Sequence, residues 1–285
     1  MKLARMGPVG EEIPVVLDDG NVYDASDLTT TYDGEFLRCG GVAAVRAALA
    51  GGTLPILNSA GQRLGAPIAI PSKIVCVGLN YIDHARESAM DVPAEPILFL
   101  KAPTTIAGPD DPIQMPRGGT KLDWEVELAV VIGRRTLYLE SVDDARDCIA
   151  GVAIAHDVSE RAFQLERGGQ WDKGKSCPTF NPIGPFLDVS DGAVEADRTL
   201  TLSVNGTEKQ RATTADMIRS PLYLVWYISQ FMTLEPGDVV NTGTPSGVAL
   251  GEAEPSWLTA GDVVELSITG LGTQRQRVVQ YDTAH

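Results

Sequence analysis

Apolar residues along this chain fall mostly into short runs broken by proline and glycine, and that pattern predicts strands more often than helices. "KIVCVG", "ILFLK", "VELAVVIG", "IAGVAIAHDV", "LTLSVNG", "DVVNTG" and "DVVELSI" each read as a strand. Near the start, "IPVVLDDGNVYDAS" predicts a hairpin in which Asp-Asp-Gly supplies the turn. "GGVAAVRAALAGG" predicts a short Ala-rich helix closed by Gly51 and Gly52. Further helices are expected in "YIDHARESAM", "SVDDARDCIA" and "SPLYLVWYISQFM". Gly-Asp-Val-Val recurs at 237–240 and 261–264 and reads as one turn-to-strand device used twice. A new strand begins after Pro71, which sets a boundary near residues 66–72. The expected organisation is a small α+β leading domain, 1–68, and a larger domain, 69–285. Many short strands without a regular βαβ rhythm predict a β-rich α+β fold of sandwich or barrel character.

The segment "DWEVELAVVIG", residues 123–133, departs from a simple apolar strand. On a strand, Trp124, Val126, Leu128 and Val130 share one side, and Glu125 and Glu127 share the other with Ala129 and Val131. Two carboxylates on a half-apolar face repel each other and resist desolvation. Either that face is wet, or something cationic sits between them. A third carboxylate can join, because the apolar strand Gly151 to Ala155 ends at His156-Asp157. Three carboxylates with no cysteine and no clustered histidine suit a hard divalent cation, Mg²⁺ or Mn²⁺, with positions open for water and ligand. Spacing alone favours a plainer alternative, a solvated strand face with Asp157 capping the next segment.

Other polar residues have two readings at this level. His84 has Glu87 three residues on, so on a helix the carboxylate can orient the imidazole and raise its basicity. A surface helix with a local ion pair fits equally well. His156 should point away from Asp157 as a packed histidine, and His285 is terminal. Lys173 and Lys175 in "DKGKS" can be solvated loop charges. Arg161 and Gln164 read as exposed helix residues, Thr244 as a turn residue and Tyr81 as a core aromatic.

Charge and composition narrow the partners. A formal charge of −15 argues against nucleic acid, since no basic stripe offsets phosphate repulsion. It also makes an anionic ligand awkward unless a bound cation reverses the local field. Four scattered cysteines without a C-x-x-C pair argue against a zinc site or a disulfide framework. No segment has the apolar length of a membrane span, and the first residues lack a secretory signal, so a cytoplasmic protein with no membrane partner is expected.

Several motifs, in order, resemble those of the fumarylacetoacetate hydrolase superfamily: "VGLNYIDHARE", "PILFLKAPT", "GPDDPIQMP", "DWEVELAVVIG", "AHDVSERAFQ", "KGKSCPTFNPIGPF" and "TGTPSGV". The resemblance covers about Lys73 to Gln274 and leaves the leading unit aside. It implies a mixed β-sandwich/β-roll catalytic domain in which Glu125, Glu127 and Asp157 bind Mg²⁺ or Mn²⁺. It further implies that His84 and Glu87 activate a water on a segment, Gly78 to Pro93, that closes over the ligand, and that Lys175 approaches the substrate. Arg161, Gln164 and Thr244 then match positions that hold the substrate carboxylate and its neighbouring oxygens, and Tyr81 packs beneath the lid. The implied substrate is a small anionic 2-oxo acid, and members are commonly homodimers. The stretch "RGGQWDKGKSCPTFNPIGPF" looks most like the branch acting on 2,4-dioxo-3-deoxy acids derived from L-rhamnose and L-fucose. The superfamily also contains acylpyruvate hydrolases, oxaloacetate decarboxylases and oxo-enol dioate isomerases.

Overall fold

The computed structural model of the chain describes residues 1–87 and 92–281. Strand Val126–Ile132 is buried at every position and lies inside an eleven-stranded mixed sheet. From one edge nine strands run Asn21–Asp24, Ile13–Asp18, Lys2–Met6, Asn181–Asp188, Ile149–His156, Val126–Ile132, Val239–Asn241, Ile74–Gly78 and Ile97–Lys101, and off this path Leu64–Gly65 pairs with Lys2–Met6 and Ile106–Ala107 with Asn181–Asp188. Neighbours on this path are antiparallel, except that Val239–Asn241 runs parallel to Ile74–Gly78. A second sheet orders Thr207–Thr213, Thr199–Val204, Val263–Ile268, Gly272–Val279 and Ile113–Gln114. The expected β-rich α+β architecture is present.

Each face of the long sheet has its own apolar cluster. On one, Val126, Leu128, Val130 and Ile132 pack with Leu200, Leu202, Val264 and Leu266 of the second sheet. Burial stabilises each such side chain by about 1.5–3 kcal/mol. On the other face, Ala129, Val131, Ala153 and Ala155 pack with Leu3 and Val16, and with Phe36, Leu37 and Val45 from the helices Gly34–Arg38 and Gly41–Ala50. The first strand pairs directly with the larger part, Lys2 with Asp188 and Leu3 with Leu187. The division drawn at residue 68 therefore does not interrupt the sheet.

Local chemistry explains several element ends. The hairpin turns at Asp19-Gly20, both left-handed (φ 46° and 78°), with Asp18 paired to Asn21, as a two-residue turn of this hand requires. Helix Pro221–Ser229 begins with a Ser220 hydroxyl that accepts from Tyr223 N–H at 3.3 Å. "SVDDARDCIA" gives only a 3₁₀ helix, Asp143–Cys148. There Asp144 accepts from both the N–H and the hydroxyl of Ser141, each at 2.9 Å, a contact of the capping-box kind at the start of the segment. Helix Ile82–Glu87 is present, and its expected continuation over residues 88–90 lies outside the described residues. Among the described residues no helix is long and apolar enough to cross a membrane.

Candidate active site

Strand register brings the three acids together. Glu127 pairs with Ala155, and Asp157 N–H donates to Glu125 O at 3.0 Å. Alternation by two then places Glu125, Glu127 and Asp157 on one face. One oxygen of each lies within 4.8 Å of the others. The face is buried from bulk solvent, the three being 4%, 2% and 0% exposed. Cations meet two of them. Lys175 Nζ donates to Glu125 Oε2 at 2.8 Å and Asp157 Oδ2 at 3.0 Å. Arg161 Nη2 donates to Glu125 Oε1 at 2.6 Å, and Lys101 donates to Asp157.

Among the described residues Glu127 has no cationic side-chain partner within hydrogen-bond distance. Gly243 N–H, at 2.8 Å, is the donor to its carboxylate. Burial pushes the Glu127 carboxyl well above its usual range, and the charges of Asp157 and Glu125 add to the effect. Burial acts the same way on Glu125 but is outweighed by Lys175 and Arg161, which hold that carboxyl low. A buried, all-oxygen donor set with one uncompensated carboxylate fits a hard divalent cation.

These groups border a cavity of about 410 Å³ whose wall includes Glu125, Glu127, Arg161, Gln164, Lys175 and Thr244, together with His84 and Glu87. Two larger clefts, of about 920 and 1020 Å³, gather none of them. His84 Nδ1 lies 3.4 Å from Glu87 Oε2, and Glu87 accepts from Gly247 N–H at 2.9 and 3.0 Å. Behind them, Asn80 Nδ2 donates to Arg219 O at 2.9 Å and Thr242 O at 2.8 Å. Gly243 adopts φ +97°, and a Cβ there would stand 2.8 Å from that of Asn80, so the close approach needs glycine. Residues 243–251 thus tie the site together: Gly243 holds Glu127, Gly247 holds Glu87, and the N–H groups of Ala249 and Leu250 donate to Asp123 at 2.7 and 3.1 Å.

Most of the residues singled out in the sequence meet here. Arg161 and Gln164, which spacing alone left exposed, are 4% and 3% exposed and bonded to each other at 2.9 Å. Lys175 faces the cavity, whereas Lys173 donates outward to Arg167 O at 2.7 Å. Thr244 lines the cavity, but its hydroxyl donates to Val126 O at 3.0 Å and accepts from Gln210 Nε2 at 2.9 Å. Tyr81 is buried and does not belong to the cavity wall; burial and the nearby Glu127 charge raise its phenol pKa. His156 is a packed histidine, with Nδ1 3.1 Å from Gln276 Oε1.

Two charged groups escaped assignment from sequence. Asp123, fully buried, accepts from Arg161 Nε at 2.7 Å and so fixes the guanidinium plane. Lys101, also buried, bonds Asp157 and donates to Val158 O at 3.1 Å. Their signals were present as an acid opening the E-x-E strand and a lysine closing the apolar run "ILFLK".

Residues 73–279 match the family model for the fumarylacetoacetate (FAA) hydrolase C-terminal region. The chain belongs to this family. A Burkholderia orbicola protein, provisionally named a hydrolase, is 46% identical over 97% of this chain and 98% of its own. The fumarylacetoacetate hydrolase from Exiguobacterium antarcticum superposes with TM-score 0.84 at 33% identity, over 99% of this chain and 100% of that one. The maleylpyruvate hydrolase of Sphingobium sp. SYK-6, solved in complex with manganese(II) and pyruvate, gives TM-score 0.80 at 28% identity with the same coverage. Family and acidic triad together are those of a metal-dependent hydrolase or isomerase acting on a small oxo acid.

Proposed function

We propose that this family member hydrolyses a C–C bond in a small 2,4-dioxo acid, releasing pyruvate and a second carboxylic acid. The observation that carries the reading is the shared cavity: the His84–Glu87 pair and the Glu125–Lys175–Arg161 cluster border the same 410 Å³. Glu125, Glu127 and Asp157 would hold Mg²⁺ or Mn²⁺, which when bound supplies positive charge to the substrate carboxylate, the 2-oxo oxygen and the developing enolate. Arg161, kept in plane by Asp123, and Gln164 orient the substrate carboxylate. Thr244 has its hydroxyl proton committed to Val126 O, so its contribution to an anion falls to its backbone N–H.

His84, oriented by Glu87, takes a proton from water, and the hydroxide adds to C4. The C3–C4 bond breaks, its electron pair moves onto the pyruvate enolate beside Lys175, and protonation at C3 completes pyruvate. Within this class, the motif resemblance supports 2,4-didehydro-3-deoxy-L-rhamnonate or its L-fuconate analogue, giving pyruvate and lactate. The test is cleavage of a 2,4-dioxo acid panel in ¹⁸O-labelled water. Label in the carboxylate of the non-pyruvate product, and a loss of roughly 10²–10⁴-fold in kcat for His84→Ala, are the expected results. Carbon dioxide release from the best substrate would move the protein to the decarboxylase reading, and an intact carbon chain to the isomerase reading.

A further inference from the structure

The polar residues of the cavity wall all belong to the machinery already described, and the rest of the wall is apolar: Val77, Leu79, Phe99, Leu165, Trp171 and Leu250, with Gly78. The two kinds meet at Lys175, whose Nζ lies 5.2 Å from the Phe99 ring centre. Phe99 packs edge-on against Trp171, centroids 5.4 Å apart and planes at 64°. The benzo edge of Trp171 then lies over Gly78, where an added Cβ would meet Cζ3 at 2.9 Å and Cη2 at 3.3 Å. The sequence from charged to apolar is therefore Glu125, Lys175, Phe99, Trp171, Gly78. Arg161 and Lys175, the arginine and lysine of this wall, both stand at its charged end, bonded to Glu125, where the 2-oxo acid head is placed. Among the described residues no other arginine or lysine is left on the wall for a second carboxylate.

We infer that the Phe99–Trp171–Gly78 wall is the subsite for the acyl end of the substrate and selects an uncharged, apolar-ended acyl group over a carboxylate. This rests on the reading that the charged end takes the 2-oxo acid head. The deoxy-sugar acid proposed above ends in a methyl group and meets the condition; an oxo dioate, with a carboxylate at each end, does not. Burying that second carboxylate against two aromatic rings without a partner is unfavourable, whereas each methylene placed there leaves water.

The experiment is calorimetric titration of the Mg²⁺-loaded protein with 2-oxo acids that lack the 4-oxo group and cannot be cleaved. Across 2-oxobutanoate, 2-oxopentanoate and 2-oxohexanoate the Kd should fall about fourfold per added methylene, the worth of one buried CH₂. 2-Oxohexanedioate should bind on the order of tenfold more weakly than 2-oxohexanoate. Trp171→Ala should flatten the chain-length gradient. Gly78→Ala, whose methyl presses on Trp171, should weaken the longest acid most and serves if the first variant does not fold. A flat gradient in the parent, or a dioate that binds as well as its monoacid, overturns the proposal. Pyruvate release from 2,4-dioxoheptanoate, followed in parallel, separates the two readings. Release with a flat gradient removes the subsite alone, and a steep gradient without release removes the hydrolase reading while supporting the subsite.

Discussion

Gly251→Ala should disable the proposed general base without touching it chemically. A Cβ at Gly251 would stand 2.1 Å from Glu87 Cγ, 2.2 Å from Cδ and 2.6 Å from Oε1. Ordinary contact begins near 3.4 Å, so the Glu87 side chain must retreat by about 1.3 Å. That distance carries its carboxylate out of reach of Gly247 N–H, now at 2.9 and 3.0 Å. It also removes the 3.4 Å contact with His84 Nδ1, which has no slack. A misplacement of about 1 Å at a catalytic group is worth on the order of 10²-fold in rate, or about 2.7 kcal/mol. Folding stability should fall less, by about 1–2 kcal/mol, because the displaced carboxylate can find water. The assay is pyruvate release by Gly251→Ala, Glu87→Ala and the double variant, with Mg²⁺ affinity measured on each. In the Glu87→Ala background the three nearest contacts of the new methyl are gone, so Gly251→Ala should add little further loss. Parent-like activity in Gly251→Ala would refute the role given to Glu87. Equal losses in both backgrounds would assign the effect to distortion of residues 243–251 instead.

Two further outcomes follow from the buried charges. Glu127→Gln should abolish Mg²⁺ binding by calorimetry, yet in chelator leave the thermal midpoint unchanged or raised by about 2–4 °C, because among the described residues this carboxylate bonds no cationic side chain; parent-like Mg²⁺ affinity would remove Glu127 from the ligand set. His156 is held neutral mainly by burial, which brings its pKa from 6.5 to about 3 against the opposing Gln276 bond. Its contribution to stability is complete above pH 6.5 and falls away as pH drops towards 3, by about 1.4 kcal/mol per pH unit; the non-titrating His156→Asn should be less sensitive to acid in urea titrations between pH 4 and 6.5, and an unchanged slope would count against this.

The parts of the fold legible in the sequence were those where one local rule decided the outcome. The hairpin was readable because Asp19-Gly20 supplies two left-handed residues, and helix Gly41–Ala50 because alanine needs no tertiary partner to favour that conformation. "SVDDARDCIA" misled for the converse reason. Its spacing fits a helical count, but the segment forms a six-residue 3₁₀ helix, Asp143–Cys148, and over so short a stretch periodicity does not separate the two kinds of turn. The boundary near residue 68 rests on a change of local pattern in the sequence. What it could not carry was the pairing of Lys2–Met6 with Asn181–Asp188, a contact between segments distant in sequence.

The site divides along the same line. Glu125 and Glu127 could be placed on one face from alternation alone, but whether that face was wet depended on what covers it. The cover comes from elsewhere in the chain, from Lys175, Arg161 and the residue 243–251 loop. Burial is thus the property that local sequence left open, and burial decides the chemistry here. In water, Glu127 is an ordinary strand carboxylate. At 2% exposure, beside Glu125 and Asp157 and with Gly243 N–H as its donor, its charge is unfavourable until a cation arrives. The same reasoning explains why Asp123 and Lys101 passed unremarked. Each looks like a residue at the end of a strand, and each becomes significant only because the fold denies it water and gives it a single charged partner to position, Arg161 in one case and Asp157 in the other.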